Sequence, residues 1–248
     1  MIDANADVDY NRHYRRYHAD TPEHVDLVAA SSTRLLAKAG ALSVPRTAQV
    51  LDIGCGMGFC LVALSRLGFK ESSGIDISPA QVNAALRLGV AAELVEDTEK
   101  FLLDNTGRFG LITAFDLIEH LPVDKQLGMI RAMNAALTPG GMLVATVPNA
   151  NSSWASRYRY IDWTHTSAFT EDSLSFLLEA GGFSAIRITD SDAARPKFPF
   201  LIRKQVIYWL LLRGFRSMRR MEAMLEFGGR LGMSIPLSLN LLVSARRA

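Results

Sequence analysis

VLDIGCGMGF, residues 50–59, decides how this chain is read. Val50 to Gly54 is a short apolar run and Phe59 opens a stretch of helical spacing. Gly54, Gly56 and Gly58 therefore fall where a strand turns sharply into a helix and where backbone can approach a ligand closely. The spacing is GxGxG, and the dinucleotide fingerprint GxGxxG wants a glycine where Phe59 stands, which disfavours NAD. A lone glycine loop also suits a mere tight turn, so the neighbouring strand ends carry weight. Eighteen residues beyond Gly58, Asp76 ends a second apolar run, where a carboxylate can accept from both hydroxyls of an adenosine ribose. Asp97, next to Thr98, ends a third, where an adenine amino group would lie.

From Gln49 to Phe183, short runs rich in Val, Ile and Leu alternate with longer segments of helical spacing, the pattern of successive βα units over a parallel sheet. The expected order is strand VLDIG, helix Phe59 to Leu67, strand SGIDIS, a helix opened by Ser78 and Pro79, strand ELVED and a short helix Thr98 to Asn105. Ser78 as N-cap before Pro79 is a mechanistic start, because the missing N–H of proline would be unpaired there anyway. GLITAFDLI is the expected fourth strand, Val123 to Leu137 a helix stopped by TPGG, and MLVATVP the fifth strand. After an irregular stretch from Asn149 to about Thr170, EDSLSFLLEAGGF reads as a helix with a glycine stop, followed by SAIRITD and finally LNLLVSARR as strands.

The 248 residues, 49% apolar and 21% charged, are enough to bury a sizeable core as one large domain. Lys and Arg number 27 against 25 Asp and Glu, a net +2 that by itself points to neither nucleic acid nor a membrane. Cys55 and Cys60 sit five apart in the ligand loop, which speaks against a structural disulfide and for a reducing cytoplasm. The start MIDANADVDYNRHY lacks the apolar stretch of a signal peptide. Val206 to Leu212, the longest apolar run, is far short of the roughly 20 residues that span a bilayer.

Taken in order, LDIGCGMG, GIDIS, VEDTE, FDLIEHLP and LTPGGMLVATVPN resemble the motifs of class I S-adenosylmethionine (SAM)-dependent methyltransferases, over about residues 45–190. The resemblance implies a Rossmann-like α/β fold of seven strands, the last antiparallel, with helices on both faces and SAM across the carboxyl ends of strands one, two and four. Motif by motif, it places Asp52, Gly54 and Gly56 at the methionine part, Asp76 at the ribose, Ile77 on one adenine face and Asp97 at the adenine amine. Gly58, Thr98 and backbone near Ala114 and Phe115 complete the implied pocket. Gly110 stands where the family often carries an Asp, a departure that touches a helix or turn contact more than the cofactor.

Methyl transfer from a sulfonium is an in-line displacement, so the protein must align an acceptor and manage the proton an oxygen acceptor loses. Asp116, Glu119 and His120 are grouped in DLIEH after the fourth strand, and His165 lies in the irregular segment expected to roof the same pocket. Two functional readings stay open: His165 as general base, or a divalent cation, Mg or Mn, held by Asp116, Glu119, His120 and His165. DxxEH with a distant His resembles the ExxEH pattern of ubiquinone-pathway and small-RNA 2′-O-methyltransferases, with Asp116 shorter than their first Glu. The plainer alternative has Glu119 and His120 capping the turn before Pro122 while His165 hydrogen-bonds in its loop.

The two ends set the remaining expectations. Residues 1–44 are taken as a helical lid, in which Tyr10, Tyr14 and Tyr17 interleave with Arg12, Arg15 and Arg16 before a helix from Pro22 to Ala39. Residues 45–192 form the SAM-binding core, 193–237 a helical insertion before the last strand, and 238–248 that strand. The insertion holds nine basic residues, Arg195 through Arg230, against Glu222 and Glu226. Ile207, Leu211, Met218, Met221 and Leu225 share a sector across from Arg213, Arg216, Arg219 and Arg220, with Gly214 arguing against one unbroken helix. This face is expected either on an anionic membrane through residues 200–225 or a phosphate-bearing acceptor, or completing the core or a homo-oligomer interface. The segment from Trp154 to Phe183 most resembles bacterial methyltransferases of polysaccharide and O-antigen assembly, so the favoured acceptor is a sugar hydroxyl of a glycan or glycolipid, in the cytoplasm or at the inner face of the membrane. The alternatives are a quinone precursor or an RNA 2′-hydroxyl, and, in another class, a SAM-binding partner protein without catalysis, against which the intact Asp116, Glu119, His120 and His165 argue.

Overall fold

A computed structural model describes residues 14–191 and 202–248, with side chains from 207 onward in the latter part except 208 and 209. Tyr10, Arg12 and Arg195, singled out above, lie outside the described residues. Seven strands form one sheet in the order β3-β2-β1-β4-β5-β7-β6: β1 Val50–Ile53, β2 Ser72–Asp76, β3 Ala91–Leu94, β4 Phe109–Phe115, β5 Leu137–Pro148, β6 Phe183–Asp190 and β7 Asn240–Arg247. All neighbours pair parallel except β7, antiparallel to both β5 and β6. The order reverses between β1 and β4, and the loops leaving the carboxyl ends of β1, β2 and β4 open onto that crevice, where ligands of open α/β sheets bind.

The helices are α1 Pro22–Ala39, α2 Phe59–Arg66, α3 Pro79–Arg87, α4 Thr98–Asp104, α5 Val123–Ala136, α6 Ala155–Tyr160, α7 Glu171–Ala180, α8 Ile202–Phe227 and α9 Gly229–Ser234. The pleat divides the core between two faces. Val50, Leu111, Val144 and Leu242 pack with Leu36 of α1 and Leu61 of α2, whereas Leu51, Ile112, Leu143 and Val243 pack with Leu102 of α4, Ile130 of α5 and Leu178 of α7. Each such side chain taken fully out of water contributes about 1.5–3 kcal/mol, which is why both faces must be covered. Local chemistry agrees with the packing at helix starts: Ser78 Oγ accepts from Gln81 N at 3.4 Å, Thr21 Oγ1 accepts from His24 N at 3.4 Å, and Thr170 with Ser173 closes a capping box before α7.

Several boundaries differ from the periodicity, each for a local reason. The third strand ends at Leu94 rather than running through Asp97, because its partner β2 ends at Asp76 and Asp97 caps α4, its Oδ1 accepting from Lys100 N at 2.9 Å. The fourth strand stops at Phe115, since Asp116 takes φ +51 and Ile118–His120 coils into a 3-10 turn. Chain pairing resumes at Leu137, and the TPGG turn is a bulge between the pairs Phe109 with Leu137 and Leu111 with Met142. The stretch from Asn149 to Thr170 is not wholly irregular but carries α6. In the insertion, α8 runs unbroken through Gly214, whose cost of about 1 kcal/mol the surrounding Leu, Arg and Met outweigh.

Candidate active site

The glycine loop is shaped by contacts a side chain would obstruct. Gly56 (φ +53) would place a Cβ 3.0 Å from Tyr14 Oη, and Gly58 (φ +85) one 2.7 Å from Val90 Cγ2. Gly54 precedes them at the tip of β1. Asp76 ties the loop to the next strand end: its Oδ2 accepts from Gly56 N at 2.9 Å and its Oδ1 from Ser78 N at 2.8 Å. Burial raises the Asp76 carboxyl above the usual range against the pull of those two N–H groups. Ile77 follows it 68% exposed, an open apolar surface beside the carboxylate. Asp97 is exposed at the start of α4, with Thr98 half-buried behind it. Ala114 is buried, Phe115 half-buried.

Asp52 is turned inward, 2% exposed, its Oδ1 accepting from Thr113 Oγ1 at 2.5 Å. Burial pushes its pKa up to about 7, opposed by the hydrogen bonds from Thr113 and Cys60. Tyr14 reaches over Gly56 from the amino-terminal side, stacked at 4.4 Å on His18, and the rings of His18 and His24 rest 5.5 and 5.7 Å from Phe59. Burial, then Asp76 and Asp116, raise the Tyr14 phenol, which therefore keeps its proton. The described part of the amino-terminal segment thus touches the glycine loop through Tyr14, while α1 itself is woven into the core.

On the other side of the crevice the structure brings Glu119, His120 and His165 together, one donor atom of each lying within 4.8 Å of the others. Glu119 is 1% exposed and neither of its carboxylate oxygens has a hydrogen-bond partner among the described residues. Burial, then Asp116, push its pKa well up. Thr166 N and Oγ1 donate to Glu119 O at 2.7 and 2.9 Å, stitching the roof segment to the 3-10 turn, and the two imidazoles meet edge to face at 4.6 Å. Their tautomers follow from their partners. Thr164 Oγ1 donates to Asp162 Oδ1 at 2.8 Å, so it accepts from His120 Nδ1 at 2.8 Å; Tyr158 O can only accept from His165 Nδ1, at 3.2 Å. Each ring is thus held through Nδ1, which makes Nε2 the atom that can meet a proton or a metal, the arrangement typical of ligating histidines.

Asp116 stands outside that trio. Its Oδ1 accepts from Thr146 Oγ1 at 2.9 Å and from Asn240 Nδ2 at 3.0 Å, and its left-handed φ, tolerable for Asp, turns the chain from β4 into the turn. Thr146, Asn240, Tyr158, Asp162 and Thr164, which hold the candidate residues, carry no motif of their own in the sequence; they become visible only as hydrogen-bond partners. The plainer alternative for Glu119, a cap of the turn before Pro122, does not describe a carboxylate with both oxygens unpartnered and buried.

A family profile described as a methyltransferase domain matches residues 6–188. The chain is 34% identical over 140 residues to the ubiquinone biosynthesis O-methyltransferase of Xanthomonas campestris pv. campestris, 54% of this chain and 56% of that protein. It is 32% identical over 137 residues to the protein of the same name in Xanthomonas oryzae pv. oryzae, 53% of this chain and 52% of that one. The chain spans about half the length of the curated relatives it matches. Among solved structures, a SAM-dependent methyltransferase from Archaeoglobus fulgidus superposes with a TM-score of 0.67 at 19% identity, covering 97% of this chain and 100% of that one. A 1,6-didemethyltoxoflavin-N1-methyltransferase from Burkholderia thailandensis, solved with 1,6-didemethyltoxoflavin and S-adenosylhomocysteine, superposes with a TM-score of 0.53 at 20% identity, covering 96% and 83%. With the profile spanning most of the chain on this sheet order, the chain belongs to the methyltransferase-domain family and is a class I SAM-dependent methyltransferase.

Proposed function

We propose that this methyltransferase acts on oxygen, transferring the methyl group to a phenolic hydroxyl of a quinone precursor beside a divalent cation. The observation that carries the reading is the buried Glu119 carboxylate, both oxygens unpartnered among the described residues, beside two imidazoles whose Nδ1 atoms are already committed. The relatives named above for ubiquinone biosynthesis support the acceptor. The sugar hydroxyl favoured from the segment Trp154 to Phe183 draws no support from them.

The donor set fits a cation: Glu119, His120 and His165 would hold it, and two imidazoles with one carboxylate suit Mn better than Mg. Such an ion, when bound, lowers the pKa of a hydroxyl placed against it. The rest falls to the chain itself. Gly54, Gly56 and Gly58 admit the methionine part of SAM alongside Asp52, Asp76 takes the ribose hydroxyls, and Ile77, Asp97 and Thr98 border the adenine, with Ala114 and Phe115 closing the floor. Tyr14 covers the loop and sheds water from the sulfonium. The acceptor oxygen attacks the methyl carbon as the C–S bond breaks, leaving S-adenosylhomocysteine. Where no ion is bound, His165 Nε2 is placed to take the phenolic proton, the favouring observation being its Nδ1 held by Tyr158 O.

Methyl-labelled SAM incubated with catechol-type quinone precursors, glycans and RNA, each with and without chelator, tests this. Label is expected in the phenolic pool, lost with chelator and restored by Mn. Label in the glycan or RNA pool instead sinks the acceptor; chelator-resistant transfer moves the chemistry to His165 alone. Calorimetric titration of the protein with Mn gives a readout free of turnover, and Glu119→Gln should weaken it roughly tenfold or more.

A further inference from the structure

Helix α8 is packed inside out. At about 100° per residue, Ile207, Leu211, Phe215, Met218, Met221 and Leu225 share one sector, and all six are exposed, Met218 to 64% and Leu225 to 83%. The opposite sector, with buried Ala223 at its centre, holds Arg216, Arg219 and Arg220. Arg219 Nη1 donates to Ser153 Oγ at 3.3 Å and its Nε pairs with Glu222 at 3.2 Å, while Arg220 reaches Asp190 at 3.9 Å. The basic side therefore fastens the helix to the body and the apolar side faces outward, so the expectation that this face completes the core is overturned. An apolar stripe of this extent marks a docking surface.

Charge decides the occupant. Two copies of the helix would set one basic segment, six basic residues against Glu222 and Glu226, against another, whereas the rest of the chain is net acidic. An anionic surface reverses that sign. The segment that Arg219 grips at Ser153 adds exposed Trp154, Tyr160 and Trp163, with Arg157 and Arg159 between them. Trp and Tyr settle where one end of the side chain is apolar and the other wet, the headgroup level of a bilayer.

We propose that the outer face of Ile202–Phe227 docks in the headgroup plane of an anionic lipid bilayer, with Trp154, Tyr160 and Trp163 at its edge. No helix among the described residues is long and apolar enough to cross a membrane, so the contact is one of surface, burying a helix face rather than spanning. The inference stands apart from the acceptor proposed above, because its readout is partition and not turnover.

The 248-residue chain is sedimented with phosphatidylcholine vesicles, with and without phosphatidylglycerol. Binding is expected only with the anionic lipid, weakening as salt rises, and falling by roughly tenfold or more in the triple variant Leu211→Glu, Met218→Glu, Leu225→Glu. These three positions face solvent, and an unchanged SAM isotherm of the variant certifies its fold. Equal binding to neutral vesicles, or a triple variant that binds as the parent does, overturns the proposal. So does a lipid-free dimer that the triple variant dissolves into monomers.

Discussion

His165 and Asp52 show how differently two polar side chains of one crevice are employed. His165 stands with Glu119 and His120 while Tyr158 O holds its Nδ1, whereas Asp52 is buried beneath the glycine loop against Thr113. His165→Ala is therefore expected to lower kcat by roughly a hundredfold or more, with SAM affinity from calorimetry nearly intact. Unchanged turnover removes His165 from the chemistry. Asp52 bears on stability as well. Burial raises its pKa from 3.8 to about 7 in the folded protein, so the folded state holds this proton more tightly than the unfolded chain. Its contribution is most favourable below pH about 4 and is lost as pH rises through about 7. Asp52→Asn keeps an acceptor for Thr113 without that charge. Its SAM-free melting temperature should match the parent near pH 4 and exceed it by several degrees near pH 8. A constant difference across that range contradicts the assignment.

The element that most constrains the site is the turn from β1 into α2. Gly58 sits at φ +85 with Val90 and Ala85 packed where a Cβ would go, so even alanine meets both a left-handed backbone and a clash. Gly58→Ala should cost about 2–4 kcal/mol, a fall in melting temperature on the order of 10 °C by scanning calorimetry. SAM affinity should fall with it, because α3 and the loop must part to admit the methyl. The same element was legible as GxGxG, since the need for positive φ is written in residue type. The turn at Asp116 was not: an apolar run through Ile118 reads as continuous strand, and only the Asp116 hydrogen bonds to Thr146 and Asn240 end it.

For the molecule as a whole, the crevice opens at the carboxyl ends of one sheet packed on both faces, with the carboxyls of Asp52 and Glu119 buried nearby. Ligand occupancy should therefore be visible globally. SAM at a hundredfold excess over its Kd stabilises by about 2.7 kcal/mol, or a rise of roughly 5–10 °C in melting temperature for a chain of this size. No shift with either SAM or S-adenosylhomocysteine, measured by differential scanning fluorimetry, defeats the cofactor assignment.

The succession of seven strands, the glycine turn and the carboxylate of Asp76 at its strand end were determined by the sequence alone, because periodicity, capping and backbone freedom act within a few residues of one another. Tertiary structure alone decided that Glu119 meets His165, 46 positions away, and that Asp116 does not join them. It also decided which side of Ile202–Phe227 faces the body. Amphipathic spacing says that a helix has two faces; which one is buried depends on what stands opposite, and here Ser153 and Asp190 offer arginine its partners.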